Sequence, residues 1–94
     1  FFLEFERLYQ ETQRLSLAGH EKLSLKISGR QVSNGYQELD FPQTLQNHEQ
    51  QVIQFDRAGG NSSLSKITFQ TEDRTVVYQL YMGNGKFKKT TASS

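Results

Sequence analysis

The residues able to do chemistry are few and scattered. His20 and His48 lie 28 positions apart in sequence read as turn or loop, with no Cys, Asp or Glu at a metal-ligand spacing. They read as surface histidines. Glu38 and Asp40 share one face of a short strand, and Glu72 and Asp73 adjoin in a turn. Neighbouring carboxylates alone make neither a raised-pKa acid nor a nucleophile, so solvated charges are expected. Gly59-Gly60-Asn61-Ser62 has the look of a phosphate loop but lacks the Gly-Lys-Ser/Thr ending, and no helix is expected after it. A structural turn fits better. The sequence therefore predicts no enzyme, no metal and no cofactor.

One cluster offers binding chemistry. Lys86, Lys88 and Lys89, with Phe87 among them, carry no acidic neighbour in sequence, and Arg74 is placed to approach across a hairpin. Such a set can contact phosphates, with Phe87 stacking on a base if exposed. The competing interpretation is an edge strand protected by lysines with Phe87 facing the core, and it is preferred because such protection is common.

The elements that hold these residues follow from periodicity. Phe1, Phe5, Leu8, Thr12 and Leu15 recur at steps of four and three, while Glu4, Glu6, Arg7, Glu11 and Arg14 fall mostly off that line. This predicts an amphipathic helix ending near Leu17, with Gly19 as its C-terminal cap. The first turn, rich in aromatic residues, is expected to overhang the domain. Leu23, Leu25 and Ile27 then alternate with polar residues as a first strand. Gly29-Arg30 and Ser33-Asn34-Gly35 read as turns, with Val32 and Tyr36 beside the second. Residues 37–41 form another strand, closed by Pro42. The glutamine-rich stretch 43–51 reads as an exposed loop, before Val52, Ile53 and Phe55 on a short strand and a glycine-containing connection. Residues 66–72 and 75–82 make a hairpin through Glu72-Asp73-Arg74. Gly83-Asn84-Gly85 turns the chain again, 86–89 add a last short strand, and 90–94 form a frayed tail.

The order helix, then antiparallel strands predicts an α+β fold with the helix on one sheet face. Ninety-four residues allow one domain, 1–94, divided into a helix over 1–17, a β-rich head over 21–89 and the tail over 90–94. A net charge of +1 gives no strong electrostatic steering. The absence of cysteine excludes disulfides and thiolate sites and leaves the redox compartment open.

The segment Phe55-Asp56-Arg57-Ala58-Gly59-Gly60-Asn61-Ser62-Ser63-Leu64, the strand Ile67-Thr68-Phe69-Gln70 and the run Tyr78-Gln79-Leu80-Tyr81-Met82-Gly83-Asn84-Gly85-Lys86 resemble the carboxyl-terminal half of ComGD-type minor pseudopilins. The opening Phe-Phe-Leu-Glu-Phe-Glu-Arg-Leu-Tyr is similar to the second half of their long helix. These proteins belong to the competence type IV pilus of Gram-positive bacteria and resemble GspH-type pseudopilins of type II secretion. The resemblance implies a pilin-like fold, with Phe55, Gly59, Gly60, Gly83 and Gly85 in architectural places. It implies a cell-surface subunit without catalysis that meets other minor pseudopilins and the major pilin in a tip or priming complex supporting DNA uptake. Helix contacts would use Phe1, Phe2, Phe5 and Leu8. Double-stranded DNA is the further partner that Arg74, Lys86, Lys88 and Lys89 would serve. The resemblance also implies that the natural protein carries the family's leader and, ahead of Phe1, a hydrophobic half-helix with a methylated terminus that anchors it in the membrane before assembly. The residues here are not that segment, since position five is Phe5 rather than glutamate, and Glu4, Glu6 and Arg7 would spoil a span. Phe1 is thus not expected to be the processed terminus.

Overall fold

A computed structural model describes residues 1–60, 66–81 and 86–93, with the backbone alone at position 48. Helix α1 spans Phe2–Gly19 and buries Phe5, Leu8, Tyr9, Thr12 and Ser16. The buried line ends on Ser16 rather than Leu15, which is half-buried. A 3.5-residue repeat drifts around a straight helix of 3.6 residues per turn, so the line moves one position by its fourth turn.

The C-terminal cap also differs from expectation. His20, not Gly19, takes the left-handed conformation at φ 50°, and its N–H donates to the Leu17 carbonyl while that of Glu21 donates to Ser16. This pair of bonds is the Schellman pattern, which keeps Gly19 helical and extends α1 two residues past the predicted end.

Two antiparallel sheets follow. β1 (Leu23–Gly29), β2 (Gln31–Ser33), β3 (Glu38–Asp40) and β4 (His48–Phe55) form the first, in the order β3-β2-β1-β4. β5 (Lys66–Gln70), β6 (Arg74–Leu80) and β7 (Phe87–Ser93) form the second, in chain order. An isolated bridge between Leu45 and Thr71 and the bond from Gln46 N–H to the Gln70 carbonyl tie the sheets together. Alternation places Leu25, Ile27, Val32, Ile53 and Phe55 of the first sheet, and Ile67, Phe69, Val76, Tyr78 and Leu80 of the second, in one core with α1.

The stretch 43–51 is not a single exposed loop. Leu45 is buried, and β4 begins at His48, where it pairs with Gly29. Arg30 pins the intervening segment by donating to the carbonyls of Pro42 (2.7 Å) and Leu45 (3.1 Å) and to Asn47 Oδ1 (2.9 Å). A polar strand paired to a neighbour along its length carries little period of its own, so its composition reads as loop. The expected frayed tail is likewise strand: residues 90–93 continue β7, with Ser93 opposite Arg74.

At the second turn Gly35 takes φ 89°, as expected of a hairpin glycine. Asn34 does something else. It is buried, its Oδ1 accepts from the N–H groups of Tyr36 (2.8 Å) and Gln37 (2.7 Å), and its Nδ2 donates to Thr12 Oγ1 (3.1 Å). One side chain thus closes the hairpin and ties it to the helix. Asn34→Ala is expected to cost about 2 kcal/mol, because the buried Thr12 Oγ1 loses a donor and two part-buried turn amides lose their acceptor. Urea unfolding checks this, and a loss below about 0.5 kcal/mol, the size of an ordinary surface change, would refute it.

Candidate functional site

The aromatic start of the chain packs inward. Phe1 stacks on Phe5 (6.3 Å between centroids) and meets Phe2, Phe41 and Phe69 edge-on at 5.1–5.5 Å. Phe5 and Leu8 are buried, and Phe1 and Phe2 are half-buried against the same core. The expected overhang is therefore overturned: the four side chains assigned to partner contacts are engaged by the domain's own sheets. Phe69 on β5 supplies the surface they need, since its ring touches Phe1, Phe2, Phe5, Phe41 and Tyr78.

The face that α1 turns to solvent is a different line. Leu3, Arg7, Gln10, Arg14 and Leu17 are all exposed, and they too step by four and three along the helix. The two leucines, at 62% and 51% exposure, are large apolar side chains left outside the core. Open grooves flank the line, one of about 540 Å³ against Glu38 and Leu39 of β3, the other of about 260 Å³ against Lys86 and Phe87. The same seven-residue spacing was present in the sequence, masked by the arginines between the leucines.

Arg74 is not brought to the lysines. Arg74 sits at the far end of β6, opposite Ser93 and beside Asp73 (3.9 Å), whereas Lys89 is opposite Tyr78. Four residues of strand place them roughly 13 Å apart. Lys89 has an acidic neighbour that the local sequence does not reveal: its Nζ lies 3.3 Å from Glu6 Oε2 and 5.2 Å from the centre of the Phe2 ring. Phe87 packs edge-on against Tyr9 and Tyr78, which occupies the ring that stacking on a base would need. Lys88 on β7 and Lys86 just before it stand exposed. β7 is thus an edge strand with exposed lysines and with Phe87 turned toward the core.

Tyr78 donates its hydroxyl to the same Glu6 Oε2 at 2.9 Å. Burial, helped by that bond and by the negative charge of Glu6, pushes the Tyr78 pKa strongly upward. Burial alone pushes Tyr9 up to about 12. In the unfolded chain both phenols ionise near the ordinary value of 10.0, while the folded chain keeps its protons. Their contribution is thus full below pH 10 and is lost as the pH rises above it. Tyr78→Phe is expected to lower stability by about 1 kcal/mol at pH 7 through the missing hydrogen bond. It should also make the alkaline fall shallower in urea titrations at several pH values; an unchanged slope would contradict the assignment.

Among the residues given architectural roles, Phe55 is buried edge-on against Tyr9. After it, Asp56 Oδ1 accepts from Ala58 and Gly60 N–H, both at 2.9 Å, and closes a turn in which Gly59 takes φ 78°. A Cβ at Gly59 would meet Gln13 Cγ and Leu17 Cβ at 3.5 Å, an ordinary contact, so it is the left-handed backbone that favours glycine there. Gln13 Nε2 donates to the Gly59 carbonyl, and Ser16 Oγ lies 2.6 Å from the carbonyls of Asp56 and Glu21, which docks this loop on α1. Asn61 to Ser65 and Met82 to Gly85 lie outside the described residues, and with them Gly83 and Gly85.

The remaining chemical residues stay apart. His20 caps the helix, His48 starts β4 rather than lying in a loop, and Glu38 and Asp40 face Gln31 Nε2 at 3.1 and 3.3 Å. Among the described residues no group of three His, Cys, Asp or Glu side chains is placed to hold a metal ion. None of their helices is long and apolar enough to cross a membrane.

The chain is 54% identical over 89 residues to the competence protein ComGD of Streptococcus pneumoniae (strain ATCC BAA-255 / R6). That match covers 95% of this chain and 56% of the other protein, so the chain spans about half the length of this curated relative. No protein-family model matches the chain. No solved structure matches it either. With that identity across nearly all of its residues, and an amphipathic helix laid on antiparallel sheets, the chain belongs to the ComGD-type pseudopilins.

Proposed function

We propose that this chain is a non-enzymatic subunit of a competence type IV pilus, working at the cell surface. It docks with other minor pseudopilins and the major pilin in a tip or priming complex and thereby supports DNA uptake in natural transformation. The observation that carries this is the uncovered helix line Leu3, Arg7, Gln10, Arg14 and Leu17, set between two open sheet edges. A helix that has satisfied its aromatic side with its own head and still exposes leucines at both ends of a second line is suited to helix packing. The name of its relative, a competence protein, supports the setting.

The helix contacts thus pass from Phe1, Phe2, Phe5 and Leu8 to the opposite face. Leu3→Asp with Leu17→Asp tests this, since both sites are exposed and the head should melt within a few degrees of the parent. Binding to the soluble heads of the other minor pseudopilins is expected to weaken about tenfold or more, equivalent to about 1.4 kcal/mol. In cells carrying the variant, transformation should fall toward that of a strain lacking the protein. Unchanged binding and unchanged transformation would remove the helix face from the account.

A further inference from the structure

We infer that β7 of one copy pairs edge to edge with β3 of a second copy, as parallel strands, with Phe87 opposite Leu39, Lys86 opposite Glu38 and Lys88 opposite Asp40. The inference concerns copies of this chain alone and stands whether or not the pilus partners are those proposed above.

Both strands end their sheets and have no strand partner on the outer side among the described residues. Hydrogen bonds outside the strands fix which backbone groups point outward. Phe41 N–H donates to the Arg30 carbonyl and Asn34 N–H to that of Gln37, so by alternation Val32 and Leu39 form a bonded pair. Glu38 and Asp40 then turn their N–H and C=O groups away from β2. On the other sheet Tyr81 N–H donates to the Lys86 carbonyl, which makes Gln79 and Lys88 a bonded pair and turns the backbone groups of Phe87 and Lys89 outward.

These phases are complementary in one orientation. In a parallel pair a residue with outward groups bonds the two residues flanking its opposite number. With Phe87 opposite Leu39, Phe87 N–H reaches the Glu38 carbonyl, Asp40 N–H reaches the Phe87 carbonyl, and Lys89 N–H reaches the Asp40 carbonyl. An antiparallel pair with the helices on the same side would set inward groups against outward ones. The side chains agree with the backbone. Each edge reads exposed, half-buried, exposed, as Glu38-Leu39-Asp40 and Lys86-Phe87-Lys88. Parallel pairing therefore puts two apolar side chains together on the helix side and two opposite-charge pairs on the other. Like-charged lysines across a pair of β7 edges would be repelled, whereas the acidic edge neutralises them. The groove of about 540 Å³ between β3 and α1 leaves space beside this edge for the incoming strand. Because the two edges differ, the contact is heterologous and repeats from copy to copy instead of closing on a dimer.

The cysteine-free sequence allows a direct test. Asp40→Cys and Lys88→Cys are made in separate chains and mixed under mild oxidation, with Lys22→Cys replacing Asp40→Cys in the control. Opposite residues of paired strands lie within disulfide reach. The Asp40–Lys88 cross-link is expected to form about tenfold or more faster than the control, because pairing raises the local thiol concentration. Lys88→Glu in one chain or Asp40→Lys in the other, introduced beside cysteines at positions 86 and 38, should each slow cross-linking, and mixing the two reversed chains should restore it. A rate equal to the control overturns the inference, and so does preferential Lys88→Cys self-cross-linking, which would mean a two-fold β7 pair. Melting curves of each variant verify that these exposed substitutions leave the fold intact.

Discussion

Phe69→Ala is expected to lower the stability of this domain by about 3–5 kcal/mol. The reason is position as much as size. The Phe69 ring is buried on β5 and touches Phe1, Phe2, Phe5, Phe41 and Tyr78, so it joins both ends of the aromatic cluster to the second sheet. Removing it leaves a cavity bordered by several rigid rings, which cannot all close on the space. In a domain of this size each kcal/mol shifts the melting temperature by roughly 4–8 °C, so a fall of at least about 12 °C is expected in a calorimetric scan. A fall of only a few degrees would mean that the cluster collapses around the gap and that the helix is held mainly by the first sheet.

The second large effect concerns Phe1 and Phe2. Phe1→Ser with Phe2→Ser is expected to cost about 2–4 kcal/mol, since two half-buried rings leave a core of edge-to-face contacts. The Phe2 ring also supports Lys89, whose ammonium lies over it and beside Glu6, so the ion pair should loosen as well. The sequence predicts the reverse, an overhanging turn whose truncation improves solubility and spares the head. Thermal melting of the double variant decides between them. A melting temperature within about 2 °C of the parent would return those side chains to the surface.

Much of the architecture was legible because local signals agreed with the global fold. The alternation of Leu25 and Ile27, the glycines at positive φ and the absence of Gly and Pro from α1 before its last residue each dictate their element through backbone and burial. Where signals were polar or shared, the sequence misled. Residues 48–51 and 90–93 carry little apolar period, yet become strand because β1 and β6 offer open ladder edges. The site was less legible still. Periodicity identified the apolar line of α1 but not what covers it: the inner line meets Phe69 and Phe41, which lie far along the chain. The basic cluster looked free of acids because Glu6 is distant from Lys89 in sequence and adjacent in space. Leu3 and Leu17, the outward pair, were detectable in principle by the same spacing that identified the inner line.

The most direct measurement is a backbone NMR titration of the labelled domain with the soluble heads of the other minor pseudopilins. The account predicts saturable shifts concentrated on Leu3, Arg7, Gln10, Arg14 and Leu17 and spreading to the flanking edges at β3 and β7. Saturable shifts confined to the outer faces of the sheets, or no shifts with any head at saturating concentration, would contradict docking through this face.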